Sequence, residues 1–503
     1  MYFKKNIDSL IAAILGFIII QVFTNYGGIG ISPDSIAYIS TARNLVAGNG
    51  FTEFSGSPLV AFPLFYPFFI SIFMFVTQMD IIKFAPILNG FLFATLIYLS
   101  GIIIEQFKYK TNTFKRIMLL VMVCSPSLIE VYTMLWSETL FILLIIIFIL
   151  VFRRYLHTHS IKSLIYAACI SAIAFDTRFA GITLVGTGCL LIFFDKNLRW
   201  RRKAEYILIF GSISSLLVII NLIRNLIVRG LATGMRQKGI TPLFKNVEYS
   251  GNVLSDWFSI QFKGTLFFEV FAFLVMLLFV VFFIRNFRHW KAFYCFENIT
   301  VAFFIVYVLF IVVSSTISRY ETINNRLLAP AFIPLLLIST SQLPKWRKQL
   351  PHRQLNWVFF AFTIGIATLL VGSYIGIIRE NLSYMNETGI PGYGEDSWTK
   401  SKMVNYLQKH NEFFEKDSSV YSNHSQAVYF LTGHTVIALP ERVYKNDVKD
   451  FKEDPISLLI WFNMDENTDL LNLREIHKFK KMRRVKSFSD GAIFELTNYP
   501  PAP

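Results

Sequence analysis

The sequence predicts an α-helical polytopic membrane protein with a small α/β domain at its C-terminal end, and three observations predict it. Hydrophobic residues make up 54% of the 503 residues and charged residues only 16%, against about 25% charged in an ordinary soluble domain. Apolar stretches suited to a hydrocarbon core ~30 Å thick recur along most of the chain. From about residue 381 the composition turns to mixed charge, with short strand-like and helix-like runs. Disorder, a disulfide scaffold and a typical cytosolic enzyme are excluded. The reading places a transmembrane domain over 1–380 and an extracytoplasmic α/β domain over 381–503.

The apolar stretches fall near 9–25, 84–104, 117–135, 137–152, 162–177, 178–194, 205–228, 265–284, 299–317, 326–343 and 356–378. Ahead of the first, Met1-Tyr2-Phe3-Lys4-Lys5 resembles a signal sequence. No small-residue cleavage site follows Ile20, so the segment reads as an uncleaved anchor. A further piece, 63–76, is shorter and carries Pro63 and Pro67.

Basic clusters set the expected orientation. Lys4/Lys5, Lys108/Lys110/Lys115/Arg116, Arg153/Arg154/Lys162, Lys196 to Lys203, Arg285/Arg288/Lys291 and Lys345 to Arg353 flank the spans. Cytoplasmic loops concentrate Lys and Arg. All six clusters share one side only if 63–76 is re-entrant or interfacial, which gives about eleven spans. The N-terminus is then cytoplasmic, and the C-terminal domain lies outside a plasma (inner) membrane crossed many times. A true crossing at 63–76 is the alternative. The net charge of +15 sits in these loops, where it meets anionic membrane lipid, so no nucleic-acid partner is expected. Cys124, Cys169, Cys189 and Cys295 form no CxxC pair and give no disulfide or metal framework.

The outer face collects the unusual residues. Ionisable groups near membrane depth cost about 2.5–3.5 kcal/mol each at a helix centre, so those kept there are expected to line a polar cavity. In the first outer loop, Ser32 reads as a helix N-cap and Pro33 as its first residue, with Gly48 and Gly50 closing the helix. Asp34 then sits in the first turn, favoured by the helix dipole. Glu138 follows Trp136-Ser137 between two apolar stretches. Each acid has a plain reading as a helix-end residue. As a pair on one face they suit deprotonation of an acceptor, or binding of a divalent metal held by Asp34 and Glu138. Arg178, Arg224, Arg236 and Arg326 supply the opposite charge on the same face. Guanidinium forks recognise phosphate bidentately; snorkelling or a structural ion pair with Asp176 is the alternative use. There is no GxGxxG, Walker loop, HExxH or GxSxG, and no soluble nucleotide-sugar domain.

Several motifs occur in a shared order: Asp34-Ser35-x-x-Tyr38, Ala42-x-Asn44-Leu45, Gly48-x-Gly50-Phe51, Pro63 to Pro67, Trp136-Ser137-Glu138, Thr177-Arg178-Phe179, Arg224-Asn225, and Asn324-x-Arg326-Leu327-Leu328-x-Pro330. On these the chain resembles the GT-C membrane glycosyltransferases over about residues 10–340. The nearest likeness is the bacterial branch related to protein O-mannosyltransferases and lipid A aminoarabinose transferases. The resemblance implies a polyprenyl-phosphate sugar donor, inversion at the anomeric carbon, and an envelope lipid, glycan or protein as acceptor. Carried over by position, Asp34 is the acid near the acceptor and Glu138 the acid of the second outer loop. Tyr38, Arg178, Arg224, Arg236, Asn324 and Arg326 are the expected substrate-binding residues. No cofactor is certain. A flippase or transporter of lipid-linked sugars, or a polysaccharide polymerase, is the competing reading.

In the tail, 397–414 has helical spacing, 419–421 and 435–439 read as strands, and 425–431 as a helix between them. The continuous apolar run 456–462 predicts a buried parallel strand. Runs 484–488 and 492–496, joined through Asp490-Gly491, predict a hairpin.

Overall fold

The computed structural model describes residues 6–233, 236–260, 264–319, 321–414, 419–464 and 467–499, without the side chains of 290 and 291. The Lys4/Lys5 cluster and Lys291 therefore fall outside the described residues or side chains. The chain divides into two compact units, Met1–Asn25 with Val60–Ser383, and Tyr26–Leu59 with Tyr384–Pro503.

Every apolar stretch of the first unit is helical. Among the described residues, eight helices are long and apolar enough to cross a membrane: Ile7–Thr24, Ile81–Glu105, Glu138–Thr158, Trp200–Arg229, Thr265–Arg288, Phe296–Ile317, Asn325–Gln349 and Arg353–Thr388. The expected crossing at 162–177 is a helix of 17 residues, Ile161–Thr177, and the one after it shortens to Ile182–Phe194. The 63–76 piece is Phe65–Thr77, 13 residues and about 20 Å at 1.5 Å per residue. Burial separates centre from rim. The apolar window of Asn325–Gln349 is 89% buried inside the protein and that of Arg353–Thr388 only 6%, so the first is core and the second presents itself to lipid.

The stretch 117–135 is not one helix. It breaks into Asn112–Val123 and Pro126–Thr133. Ser125 precedes a proline, which forces it out of the helical region (ψ 116°), and its hydroxyl caps the second helix at Leu128 N–H. Backbone carbonyls released at the far end of the short helix need partners, because no water competes in a hydrocarbon layer. Asn89, fully buried, donates to Tyr132 O at 3.0 Å and Met134 O at 2.9 Å. Similarly, the loop expected over 229–263 contains an amphipathic helix, Leu243–Trp257. Its apolar side closes on the core through Val253, Leu254 and Trp257.

The second unit carries a five-stranded sheet ordered β2-β1-β3-β5-β4, with β1 Ser419–Ser422, β2 Ile437–Ala438, β3 Ile456–Phe462, β4 Lys480–Phe488 and β5 Gly491–Asn498. β3 runs parallel to β1, as its unbroken apolar run predicts, and antiparallel to β5, while β4 and β5 form the hairpin expected through Asp490-Gly491. Tyr421, Phe451, Leu459, Phe494 and Leu496 form its core. The helix Lys445–Glu453 was not expected, since only Phe451 of its nine residues is buried. Segment 26–59 is built into this unit. Tyr393 N–H donates to Ile31 O at 2.8 Å, Arg43 bonds the Tyr429 hydroxyl, and Phe54 stacks on Tyr429 at 4.8 Å.

Candidate active site

In the first unit, Glu138 opens its helix directly after the extended residue Met134 and the buried pair Leu135-Trp136. It is 1% exposed, and a carboxylate so buried must be paired. Two arginines pair it. Arg326 Nε donates to Oε1 at 2.6 Å and Arg178 Nη1 lies 2.6 Å from Oε2. The Arg326 guanidinium also stacks on Trp136, 4.2 Å from the ring centroid. Arg178 further donates to the Ser137 hydroxyl at 3.0 Å. One carboxylate thus lies between two guanidinium groups.

Local structure sets both arginines. Arg178 occupies the extended break (φ −148°, ψ 139°) between the helix Ile161–Thr177 and a 3-10 turn, Phe179–Gly181. The turn is tight enough that a Cβ on Gly181 would meet Ala174 O at 2.4 Å, so only glycine fits there. Arg326 sits in the first turn of Asn325–Gln349, where Asn324 Oδ1 accepts the Leu327 N–H at 3.0 Å. Asn325 Oδ1 accepts from Ser127 Oγ at 3.2 Å and Trp257 Nε1 at 3.1 Å, and the Tyr307 hydroxyl donates to Leu327 O at 2.8 Å. That helix start is pinned from three neighbouring segments.

Other expected residues gather around this cluster. Asn324 also donates to Glu321 Oε2 at 3.2 Å, and Glu321 Oε1 lies 3.6 Å from Arg326 Nη1. The Arg236 guanidinium packs over Phe179, 5.2 Å from its centroid and next in sequence to Arg178. Arg319 donates to Gln237 at 2.8 Å, tying together two segments read from the sequence as separate outer loops. Arg224 is placed elsewhere: it bonds Asn225 Oδ1 at 3.0 Å, while Asn225 donates to Ala232 O. Asp176 is not the partner of Arg178; it accepts from Asn221 and from the Leu64 backbone.

Sequence reasoning passed over Glu130, an exposed carboxylate that interacts electrostatically with Glu321 and Arg326. A lone acid inside the apolar stretch 117–135 was the available signal, since such a group is costly there without a use.

Asp34 and Tyr38 belong to the second unit. The helix Pro33–Val46 starts with Ser32 and Ser35 exchanging bonds, Ser32 N–H to Ser35 Oγ at 3.0 Å. Asp34 is half-buried in that first turn, and Tyr38 is 2% exposed. Burial raises the Tyr393 hydroxyl pKa, and the Asp34 charge adds to the rise. Tyr393 therefore stays a neutral phenol beside this carboxylate.

Glu138 is poorly disposed to ligate a cation, because each of its oxygens already faces a guanidinium. Among the described residues no group of three or more His, Cys, Asp or Glu side chains is arranged to hold a metal ion.

No protein-family model matches the sequence, and no curated protein matches it. Solved structures do match in shape. ArnT from Cupriavidus metallidurans bound to undecaprenyl phosphate aligns over 97% of both chains with a TM-score of 0.58 at 11% identity. Its apo form aligns over the same share with a TM-score of 0.57. Archaeoglobus fulgidus oligosaccharyltransferase AglB, in complex with an inhibitory peptide and a dolichol-phosphate, aligns over 92% of this chain and 70% of its own, with a TM-score of 0.51 at 9% identity. The fold is that shared with ArnT and AglB.

Proposed function

We propose that this chain is a membrane glycosyltransferase that moves a sugar from a polyprenyl-phosphate carrier to an envelope acceptor, by a single inverting displacement on the outer side of the plasma membrane. The observation that carries it is Glu138 held between Arg178 and Arg326 at 2.6 Å each. It supports a site with fixed guanidinium groups where apolar helices begin. Shape agreement with proteins solved with undecaprenyl phosphate or a dolichol-phosphate bound supports the same donor class.

In the reaction, the acceptor hydroxyl oxygen forms a bond to the sugar C1 while the bond from C1 to the phosphate oxygen breaks. Asp34 takes the hydroxyl proton, and the bonding electron pair leaves on the carrier phosphate. Charge therefore develops on phosphate oxygens, and prepositioned guanidinium groups stabilise it most when they need no reorganisation. Arg178 and Arg326 are assigned that work, with Arg236 and Asn324 lining the substrates. Glu138 is assigned as a positioning residue: its charge is committed to the two arginines, so it orients them. Trp136 backs Arg326 from behind.

The test is transfer from a radiolabelled polyprenyl-phosphate sugar in proteoliposomes. Wild-type protein is expected to release free polyprenyl phosphate with inverted product, and Asp34→Asn to fold but turn over hardly at all. Movement of intact donor across the bilayer without bond cleavage would replace the enzyme reading with a transporter.

A further inference from the structure

The helix Thr265–Arg288 has two unlike faces. On one, Phe279 stacks on Phe304 with ring centroids 3.9 Å apart, and Phe283 and Phe287 meet Phe194 edge-on at 6.0 and 5.3 Å. Residues at i, i+4 and i+8 share a helix face, so these rings fix how the helix is rotated. The opposite face carries Val281, Ile284, Arg285, Arg288 and, just past the helix end, His289, all exposed. Together those five line one cleft of about 330 Å³, at the small end of ligand clefts, which run to roughly 300–1,000 Å³.

Away from the cations the same face stays apolar: Leu274, Leu277, Leu278, Val281 and Ile284 are all exposed. From Leu274 to Ile284 the stripe rises about 15 Å at 1.5 Å per residue, half of a ~30 Å hydrocarbon core. The apolar window of this helix is 11% buried inside the protein, so lipid covers the stripe when the helix crosses a membrane.

The two arginines stand apart from other basic residues that flank the spans. Arg116 meets Asp8, Arg202 meets Glu205, Arg347 bonds Asn356 and lies over Phe360, and Arg153 lies over Phe296. Among the described residues, no side-chain hydrogen bond, ion pair or ring contact engages Arg285 or Arg288. The charged neighbour of Arg285 is Lys345, like it in sign and partly offset by Glu297. Arginines in a last turn also complement the helix dipole, but that role needs neither a shared cleft nor an apolar stripe leading away from it.

Fixed positive charge at the end of one leaflet's depth of apolar surface matches an amphiphile with an anionic head. Guanidinium forks take phosphate oxygens bidentately, and His289 keeps at least one ring N–H in either protonation state. We propose that this cleft binds an anionic diacyl phospholipid, its phosphate at Arg285 and Arg288 and an acyl chain along Leu274 to Ile284. A zwitterionic lipid fits less well, since no carboxylate lines the cleft to receive its amine. The site rests on Thr265–Arg288 crossing a membrane and not on the transfer reaction.

The test is native mass spectrometry of the full chain in detergent, titrated with phosphatidylglycerol or with phosphatidylcholine of the same acyl chains. Wild-type protein is expected to retain one phosphatidylglycerol about tenfold or more tightly, from two arginines at a lipid phosphate. Arg285→Gln with Arg288→Gln should abolish the preference. Arg285→Lys with Arg288→Lys should restore part of it, because the charge remains. Arg199→Gln with Arg201→Gln removes equal charge from another exposed run and should leave the preference intact. Glycerol phosphate, which lacks acyl chains, should not displace the lipid. Transfer in phosphatidylcholine proteoliposomes should be unchanged in the Arg285/Arg288 glutamine pair, so failure here is distinct from failure of the transferase reading. The proposal is overturned if wild-type protein holds both lipids equally, if the Arg285/Arg288 glutamine pair keeps its preference, or if the Arg199/Arg201 pair loses it too. Displacement of phosphatidylglycerol by glycerol phosphate, or by polyprenyl phosphate at equal concentration, would overturn it as well.

Discussion

Two buried charge clusters of the first unit are centred on opposite charges. Near the start of the helix Ile7–Thr24, Lys115 lies 2.7 Å from Asp8 and 2.8 Å from Glu105, one cation between two carboxylates. At Glu138 one carboxylate lies between two cations. The Lys115 side chain is 1% exposed, whereas those of Arg178 and Arg326 keep 20% and 10%. Lys110 and Arg116 join the first cluster from its exposed side, where they also meet Glu105 and Asp8. The second, which Glu321 joins 3.6 Å from Arg326, keeps its guanidinium groups more accessible. An ammonium is a point charge that two carboxylates quench, while a guanidinium bonded through one edge keeps further N–H donors for a second anion.

The largest expected effect lies with the proton acceptor. Asp34→Asn should lower transfer by about 10²–10⁴-fold, as removal of a general base does, with an unchanged melting temperature. Normal turnover would remove Asp34 from the role.

Next, Glu138→Gln and Lys115→Met each orphan buried charges, and breaking such a pair costs about 3–5 kcal/mol. Both variants should melt at lower temperature in detergent. They should differ in function: the Glu138 variant misplaces Arg178 and Arg326 and loses kcat, while folded Lys115→Met protein keeps wild-type kcat and KM. Equal kinetic losses in the two would erase the distinction drawn between them.

The smallest effect is the exposed pair Arg442–Glu475, bonded at 2.8 Å. The Arg442 hydrogen bond, helped by the Asn472 backbone, holds the Glu475 carboxyl below its ordinary value of 4.5. A depressed carboxyl contributes stability that is complete above about 4.5 and fades as pH falls through the lower folded value. Glu475→Gln should therefore shift the melting temperature slightly at pH 7 and not at all once both states are protonated. For an exposed pair that shift should be well below those of the two buried clusters.

Much of this architecture was legible in the residues because two periodicities are strong. Long apolar runs can satisfy their backbone only as helices, and 456–462 could only be a buried strand. Asp490-Gly491 marked its hairpin for the same local reason. What escaped depended on partners distant in sequence. The break at Ser125-Pro126 looks like one apolar run until Asn89 is seen supplying the missing bonds. Lys445–Glu453 shows no apolar stripe, and β4 reaches back to Lys480 behind charges that read as loop. At the site, Arg178, Glu138 and Arg326 were each visible singly. Their union was not, since 188 positions separate Glu138 from Arg326, and spacing says nothing about which arginine a carboxylate will meet.

The central claim is that Arg178 and Arg326, held by Glu138, receive the carrier phosphate. Its most direct test is undecaprenyl-phosphate affinity, measured by calorimetry for Arg178→Lys, Arg326→Lys and Lys115→Met in nanodiscs. The account predicts at least about tenfold weaker binding for each arginine variant, because lysine cannot form the bidentate contact, and wild-type affinity for Lys115→Met. Wild-type affinity in both arginine variants would contradict it.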